Sequence, residues 1–205
     1  MTMEAAGGSG LGGVDSAWRG AEAFHFWLLA HRQLYSGNVD LAMRTALHLR
    51  DYEDVLDPSE IFSFLALASF YNKFYGQCSK AFIKLESLPS VAIPAREVYA
   101  DLAMSIFLKF PPVDPRALRE TREKPGIAGG RTAGLTGNPA MDALLEDLVA
   151  PREQVCVASG RIIRDNNYVR CKVCKHPMIT AETRSSNSCP LCHAPLSSAP
   201  DTKGR

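Results

Sequence analysis

The stretch CKVCKHPMITAETRSSNSCPLCHAP, residues 171–195, holds two Cys-x-x-Cys pairs with fourteen residues between them. Each pair forms a tight turn that directs two sulfur atoms toward one point, so the two pairs offer four thiolates to a single tetrahedral ion. We therefore predict one structural Zn²⁺ ion with four ligands: Cys171, Cys174, Cys189 and Cys192. Rubredoxin-type iron would suit the same four sulfurs, and the sequence does not distinguish it from zinc.

Other uses of paired cysteines fit this pattern less well. A redox pair needs one Cys-x-x-Cys at the start of a helix in a βαβ unit, whereas two pairs are present and neither leads into a predicted helix. A catalytic zinc keeps one coordination position open for water, and four thiolates would close it. A two-zinc RING-type site would need His176 and His193 as ligands, and we expect both to lie outside the ligand shell.

Strand-like segments surround the two pairs, at 155–163, 167–171 and 176–182, which predicts a small β zinc ribbon over residues 151–197. This region has few large apolar side chains and cannot bury enough surface to fold unaided. The ion would therefore supply about 10–16 kcal/mol, enough to fold the module. Cys156 has no partner in a Cys-x-x-Cys pair, and we interpret it as a buried strand residue and Cys78 as a buried helix residue.

Residues 15–110 show helical periodicity throughout, which predicts an α-helical repeat domain. Asp15 or Ser16 is expected to cap the first helix. Four more helices are expected, at 39–51, at 59–75 with Gly76 as its terminator, around 78–85, and at 95–110. The first helix is apolar on two sides, with one stripe at residues 17, 21, 24, 28 and 35, which predicts that it is sandwiched between neighbours.

The sequences GNVDLA (37–42) and GQCSKA (76–81) share the pattern G-x-x-x-x-A and lie 39 residues apart. In helical hairpins the glycine permits the turn, and the alanine lets the second helix cross the first closely. We therefore predict a mainly α fold: the end of a tetratricopeptide-like helical-hairpin solenoid, followed by a disordered linker and the zinc ribbon. An irregular all-helical domain is the alternative.

Proline and glycine are frequent in residues 111–138, which predicts a disordered linker. Residues 139–150 predict a short amphipathic helix with these apolar positions: Met141, Leu144, Leu145, Leu148 and Val149. A helix of this length must dock, either on the chain's own helical domain, which we favour, or in a partner's groove. Residues 1–14 and 198–205 are predicted tails, and the G-x-G-x-x-G at 8–13 lacks the preceding strand of a nucleotide site.

The balance of charge excludes several classes of function. The chain has 23 Lys and Arg against 22 Asp and Glu, and the predicted ribbon offers only Tyr168 as an exposed stacking ring, so we do not expect nucleic acid as a partner.

No apolar run approaches the ~20 residues of a transmembrane segment, and the N-terminus lacks the features of a signal peptide. We expect reduced thiols, no small-molecule substrate and no catalytic residues, because no Ser/His/Asp set or carboxylate pair is evident.

Several of these segments resemble one known family. AWRGAEAFHFWLLAHRQLYSGNVDLAMRTALHLRDYEDV (17–55) and CSKAFIKLESL (78–88) resemble the C-terminal helical region of the WD-repeat 121-kilodalton subunit of intraflagellar transport complex A. CVASG (156–160), with CKVCKH and CPLCHAPL after it, resembles the zinc ribbon that ends the same subunit. The resemblance implies a non-enzymatic scaffold that helps to assemble complex A for retrograde transport, cilium assembly and ciliary entry of membrane proteins.

The resemblance also implies partners and a location. The partners would be other complex A subunits, including a sister WD-repeat subunit, and the location would be the cytoplasm and the cilium or flagellum, at the axoneme and basal body. The family carries N-terminal propellers that this sequence does not contain, so we expect a C-terminal fragment or a separately encoded tail. Lys175 and His193 stand where zinc knuckles commonly have glycine. The alternative is a zinc-ribbon nucleic-acid-binding protein, or another adaptor, with a helical-repeat interaction domain.

Overall fold

The computed structural model describes residues 12–114, 154–164, 166–184 and 186–196, with side chains described from residue 17 onward. The predicted docking helix 139–150, most of the predicted linker, nearly all of the first tail and all of the last tail lie outside these residues. The described part is mainly helical and ends in a small cysteine-bearing unit, so the predicted fold class is confirmed.

Five α-helices make up the first part of the chain: α1 (Gly12–Tyr35), α2 (Val39–Leu49), α3 (Pro58–Tyr71), α4 (Tyr75–Ser87) and α5 (Ile93–Phe107). A single 3₁₀ turn, Arg50–Tyr52, extends α2. The first helix begins before the predicted cap residues Asp15 and Ser16, which therefore lie inside it. The cap of α3 is Asp57, whose carboxylate accepts the Ser59 N–H at 2.8 Å, and Pro58 occupies the first turn, where a missing N–H costs nothing.

The helical hairpins repeat every 36 residues, since α2 begins at residue 39 and α4 at residue 75. The two G-x-x-x-x-A segments, 39 residues apart, therefore do not occupy equivalent positions, and the repeat length that they suggested is wrong. Gly37 (φ 78°) and Lys73 (φ 62°) take the left-handed conformation that ends α1 and α3. The backbone bonds around them correspond one for one, with the Asn38 N–H donating to the Gln33 carbonyl and the Phe74 N–H to the Ser69 carbonyl, both at 2.9 Å. Lys73 adopts a conformation that glycine adopts more readily. Because the residue is not a glycine, the sequence pattern did not indicate a turn at this position.

Gly76 lies inside α4 and does not end α3, contrary to the prediction. Its role is to leave room for Asp114, whose Oδ1 accepts the N–H groups of Gly76 at 2.8 Å and Gln77 at 3.1 Å. A β-carbon at Gly76 would stand 2.8 Å from that carboxylate. The ring of Phe110 stacks on Tyr75 at 5.0 Å, so residues 110–114 fold back onto α4, although the predicted linker begins at 111.

The buried faces of the helices show the same 36-residue period. The buried residues of α2 include Ala42, Thr45, Ala46 and Leu49, and those of α4 at the matching positions are Cys78, Ala81, Phe82 and Leu85. Cys78 is therefore a buried helix residue, as predicted. The stripe of α1 that was expected to be buried is exposed at Phe24, Leu28 and Tyr35, and the face with Ala23, Phe26 and Ala30 packs inward instead.

The C-terminal unit is a compact ribbon. Strands β1 (Tyr168–Arg170) and β2 (Pro177–Ile179) pair antiparallel, with Val169 opposite Met178. Single bridges join Val155 to Ile162 and Ser188 to Pro195. The predicted third strand is shorter than expected, because Thr180–Thr183 form a one-turn helix, α6. Among the described helices, none is both long and apolar enough to cross a membrane.

Candidate metal centre and its contact with the helices

The four predicted ligand residues lie together. Their sulfur atoms are all within 4.8 Å of one another, with Cys171 and Cys192 Sγ atoms 3.5 Å apart and Cys174 and Cys189 Sγ atoms 3.7 Å apart. Four sulfurs placed about 2.3 Å from a tetrahedral zinc would be about 3.8 Å from each other. The cluster therefore has the size of a four-sulfur metal site, and none of its cysteines is in a disulfide.

Both halves of the cluster have the same backbone geometry. The Lys175 N–H donates to the Cys171 carbonyl at 3.0 Å, and the His193 N–H donates to the Cys189 carbonyl at 2.9 Å. Lys175 (φ 64°) and His193 (φ 57°) take the left-handed conformation at the end of each turn. These are the positions where glycine is common, so each turn keeps its knuckle shape at the cost of some backbone strain.

Backbone N–H groups surround the sulfur atoms and favour the thiolate form. Burial acts to raise the pKa of the Cys171 thiol, but the N–H groups of Cys174 and Val173 lower that pKa to about 7. Burial raises the pKa values of Cys174 and Cys189. Three of the four cysteines, Cys171, Cys174 and Cys189, are buried and Cys192 is half-buried, and a bound cation would replace the protons of such thiols.

Neither histidine of the ribbon belongs to the cluster. Among the described residues, the group of close metal-ligating side chains consists of the four cysteines. The Nε2 atom of His176 lies 3.3 Å from Glu22 Oε1 on α1, and its Nδ1 atom lies 2.9 Å from the Cys174 carbonyl. His193 is exposed. The cluster therefore offers four sulfur ligands and resembles a structural metal site more closely than a catalytic one.

Cys156, the fifth cysteine of the ribbon, is buried as predicted, but it does not lie in a strand, because the predicted strand 155–163 is interrupted by a turn at 157–159. Its thiol donates to Glu182 Oε2 at 3.0 Å, and its sulfur accepts the Ile179 N–H at 3.2 Å. Arg161 lies 3.5 Å from the other oxygen of Glu182. Burial raises the pKa of Cys156, so this thiol stays protonated and joins the segment before β1 to the one-turn helix after β2.

The ribbon is packed along α1, a contact that the sequence did not reveal. The His25 Nε2 atom lies 2.6 Å from the Val157 carbonyl, and Gln33 Nε2 donates to the Ser159 carbonyl at 2.9 Å. Gln33 is buried, and its Oε1 atom accepts the Thr45 hydroxyl of α2 at 2.7 Å. A chain of hydrogen bonds therefore runs from the ribbon through α1 to α2.

Gly160 makes the closest approach between the ribbon and the helices. Its φ of 72° is left-handed, and a β-carbon built there would overlap the Thr45 hydroxyl and stand 3.1 Å from Thr45 Cβ. Near the start of α1, the His176 ring lies 6.2 Å from the Trp18 ring. The contact with Glu22 raises the pKa of His176. The contact thus extends over most of the length of α1.

Comparison with known proteins gives the family. Residues 15–114 match the model described as "IFT121-like, TPR repeats", and residues 154–197 match "IFT121, second zinc finger domain". The chain belongs to the IFT121 family. The IFT121 resemblance stated from the sequence is therefore confirmed in both regions.

Three curated relatives support this assignment. The chain is 42% identical over 183 residues to WD repeat-containing protein 35 of Homo sapiens, which covers 89% of the chain. It is 43% identical over 181 residues to the proteins of that name in Rattus norvegicus and Mus musculus, which cover 88% of the chain. The chain spans 14% of the length of each relative.

Proposed function

We propose that this chain is a non-enzymatic assembly segment of intraflagellar transport complex A. Through contacts with other complex A subunits, including a sister WD-repeat subunit, it would support retrograde transport, cilium assembly and ciliary entry of membrane proteins. Its location would be the cytoplasm and the cilium, at the axoneme and basal body. Membership of the IFT121 family supports this proposal.

The observation that carries the proposal is the exposure of large apolar side chains on α1 and on α3. Phe24, Leu28 and Tyr35 are exposed on α1, and Leu67 and Tyr71 are exposed on α3. The three positions on α1 are four and seven residues apart and so share one face of that helix, and exposed apolar groups gathered on one face mark sites of protein contact. Adjacent repeats of a helical solenoid commonly present such surfaces to partner proteins.

The four clustered cysteines would hold one structural Zn²⁺ ion in this segment. The ion would tie the two knuckles together and supply the core that the ribbon's own side chains do not provide. Gln33, His25 and Glu22 then hold the ribbon on α1. Elemental analysis of purified protein should find one zinc per chain, and a metal-free preparation, or the absorption of a ferric tetrathiolate, would contradict this assignment.

A pull-down from an extract of ciliated cells tests the assembly role. The wild-type chain should recover complex A subunits, identified by mass spectrometry, whereas Leu28→Glu with Tyr35→Glu should lose them without loss of helical circular dichroism. Ile83→Ser, on an equally exposed residue of α4, serves as the control and should keep them. Equal recovery by all three proteins would refute the role of this surface.

A ribbon variant belongs in the same experiment. Cys171→Ser with Cys189→Ser removes two of the proposed ligands and should weaken the recovery of partners. If this variant recovers the same partners as the wild type, the ribbon is not part of the interface. Salt-sensitive retention on heparin or RNA, without recovery of complex A subunits, would instead favour the nucleic-acid-binding alternative.

A further inference from the structure

Within the residues that the structure describes, α5 begins a third repeat that has no second helix. The N–H groups of Ser36, Asn72 and Leu108 donate to carbonyls four residues back, at 3.0, 3.2 and 3.0 Å, and these donors recur every 36 residues. The next N–H groups, of Gly37, Lys73 and Lys109, bond three residues back at 3.0 Å. The third donor differs, because the Phe110 N–H bonds four residues back to the Ile106 carbonyl, whereas the Asn38 and Phe74 N–H groups bond five residues back. Helix α5 thus shares the first two terminal bonds of α1 and α3, each of which is followed by a second helix, α2 or α4.

The face of α5 that corresponds to the buried faces of α1 and α3 is open. Phe26 of α1 is 0% exposed and Phe62 of α3 is 6% exposed, whereas the matching Val98 is 63% exposed. Ala30 and Ala66 are 0% and 5% exposed, whereas the matching Leu102 is 47% exposed. Helix α5 has no buried residue at all, so within the described residues this apolar face has no covering helix.

The residues directly after α5 do not supply the missing helix. Pro111 and Pro112 stand at the positions where α2 and α4 begin in the first and second repeats, but residues 111–114 do not form a helix. Phe110 stacks on Tyr75 and Asp114 caps α4, so the chain is held against the second repeat at this point. Any helix that covers α5 must come from elsewhere.

We propose that residues 139–150 of the same chain cover the open face of α5. This segment, which lies outside the described residues, is 12 residues long, and α2 and α4 have 11 and 13 residues. Its apolar residues recur with helical spacing and would form one stripe: Met141, Leu144, Leu145, Leu148 and Val149. The segment therefore has the length and the single apolar face that the vacant position requires.

The connection on the N-terminal side of the segment is long enough for this docking, and the three residues 151–153 on its other side require the docked helix to end within about 14 Å of Gln154. Residues 115–138, 24 in number, lie between Asp114 and the segment, and a chain of that length reaches up to roughly 80 Å, far more than the ~20 Å length of α5. Leu102 occupies the position of the small Ala30 and Ala66, so the covering helix would lie further from α5 than α2 lies from α1. Intramolecular docking also gives the segment a high effective concentration.

Photo-cross-linking of the full 205-residue chain tests the proposal. A benzoylphenylalanine in place of Val98 should form adducts with residues 139–150 of the same chain, in a sample shown by light scattering to be monomeric. The same probe in place of Ile83, which is also 63% exposed but lies on α4, should form no such adduct. Substitution of Leu144→Asp with Leu148→Asp should abolish the adduct, and substitution of Asp142→Asn with Glu146→Gln should leave it unchanged.

Three outcomes would overturn the proposal. Adducts that join two chains would show that a second copy covers α5. Adducts to another part of the same chain would show that a different segment does so. No adduct from position 98 would show that the isolated chain leaves this face open for a partner protein.

Discussion

Replacement of Gly160 by alanine tests whether the ribbon is seated on α2 as the structure has it. The new methyl group would overlap the Thr45 hydroxyl, and Thr45 is fully buried with its hydroxyl donating to Gln33. Thr45 cannot turn away without breaking the chain of hydrogen bonds that continues to Ser159. The substitution should therefore separate the ribbon from the helices or strain both.

The expected magnitude has two parts. An alanine at a φ of 72° costs about 1–2 kcal/mol of backbone strain. Steric overlap in a packed contact adds about 1–3 kcal/mol. The free energy of unfolding should therefore fall by about 2–5 kcal/mol.

Gly37→Ala is the matched control. Gly37 has a φ of 78°, but a β-carbon built there meets nothing within 4 Å. This variant has the backbone strain without the overlap, so it should lose about 1–2 kcal/mol. Urea unfolding followed by far-ultraviolet circular dichroism gives both values, and metal content shows whether the ribbon itself remains folded.

A double-mutant cycle then isolates the contact. In a Thr45→Ala background the hydroxyl is gone, so Gly160→Ala should cost little more than Gly37→Ala does. If Gly160→Ala and Gly37→Ala differ by less than about 0.5 kcal/mol in the wild-type background, the ribbon is not seated against Thr45. The account of the ribbon as a unit packed on α1 and α2 would then be wrong.

Three further predictions concern the metal, a helix cap and the half-buried His25. Removal of the metal with a chelator should unfold the ribbon and so remove its hydrogen bonds to His25 and Gln33 of α1. The melting temperature of the helices should therefore fall by roughly 5–10 °C. An unchanged melting curve would contradict this prediction. Asp114→Ala should cost about 1–2 kcal/mol of stability through loss of the α4 cap, whereas Asp101→Ala, at an exposed position of α5, should cost much less in the same urea titration. Burial lowers the pKa of His25 below 6.5, although its bond to the Val157 carbonyl acts to raise that pKa. The stability that neutral His25 gives to the folded state is therefore fully present above pH 6.5 and is lost as the pH falls below that value. His25→Gln keeps a hydrogen-bond donor but has no titrating group. Between pH 7.5 and 5.5 the free energy of unfolding of the wild type should therefore fall by up to about 1.4 kcal/mol more than that of this variant. If the unfolding free energies of the two proteins change in parallel with pH, the assignment is refuted.

The sequence predicted most of the candidate metal centre because its geometry is local. A Cys-x-x-Cys turn fixes the positions of its two sulfur atoms within four residues, so the spacing alone predicted that Cys171 and Cys174 act together. The structure then placed all four sulfurs within 4.8 Å. Ligation of zinc by these sulfurs stays a prediction until the metal is measured.

The errors in the helical part arose where a residue's role depended on a distant contact. Gly76 was interpreted as the end of a helix, but a glycine is needed there because the carboxylate of Asp114, 38 residues later, contacts its backbone N–H. The real turn lies at Lys73, a residue that sequence patterns do not associate with a left-handed conformation. The repeat was therefore recognised with the wrong period.

Local spacing determined the elements of this protein: the helices, the two knuckles and the buried character of Cys78 and Cys156 follow from residues close together in the sequence. Tertiary structure alone decided which face of α1 is buried and where the ribbon sits. The His25 contact with Val157 joins residues 132 positions apart. Helical periodicity identifies apolar faces, but it does not say what will cover each of them, because that depends on which surfaces the folded chain brings together.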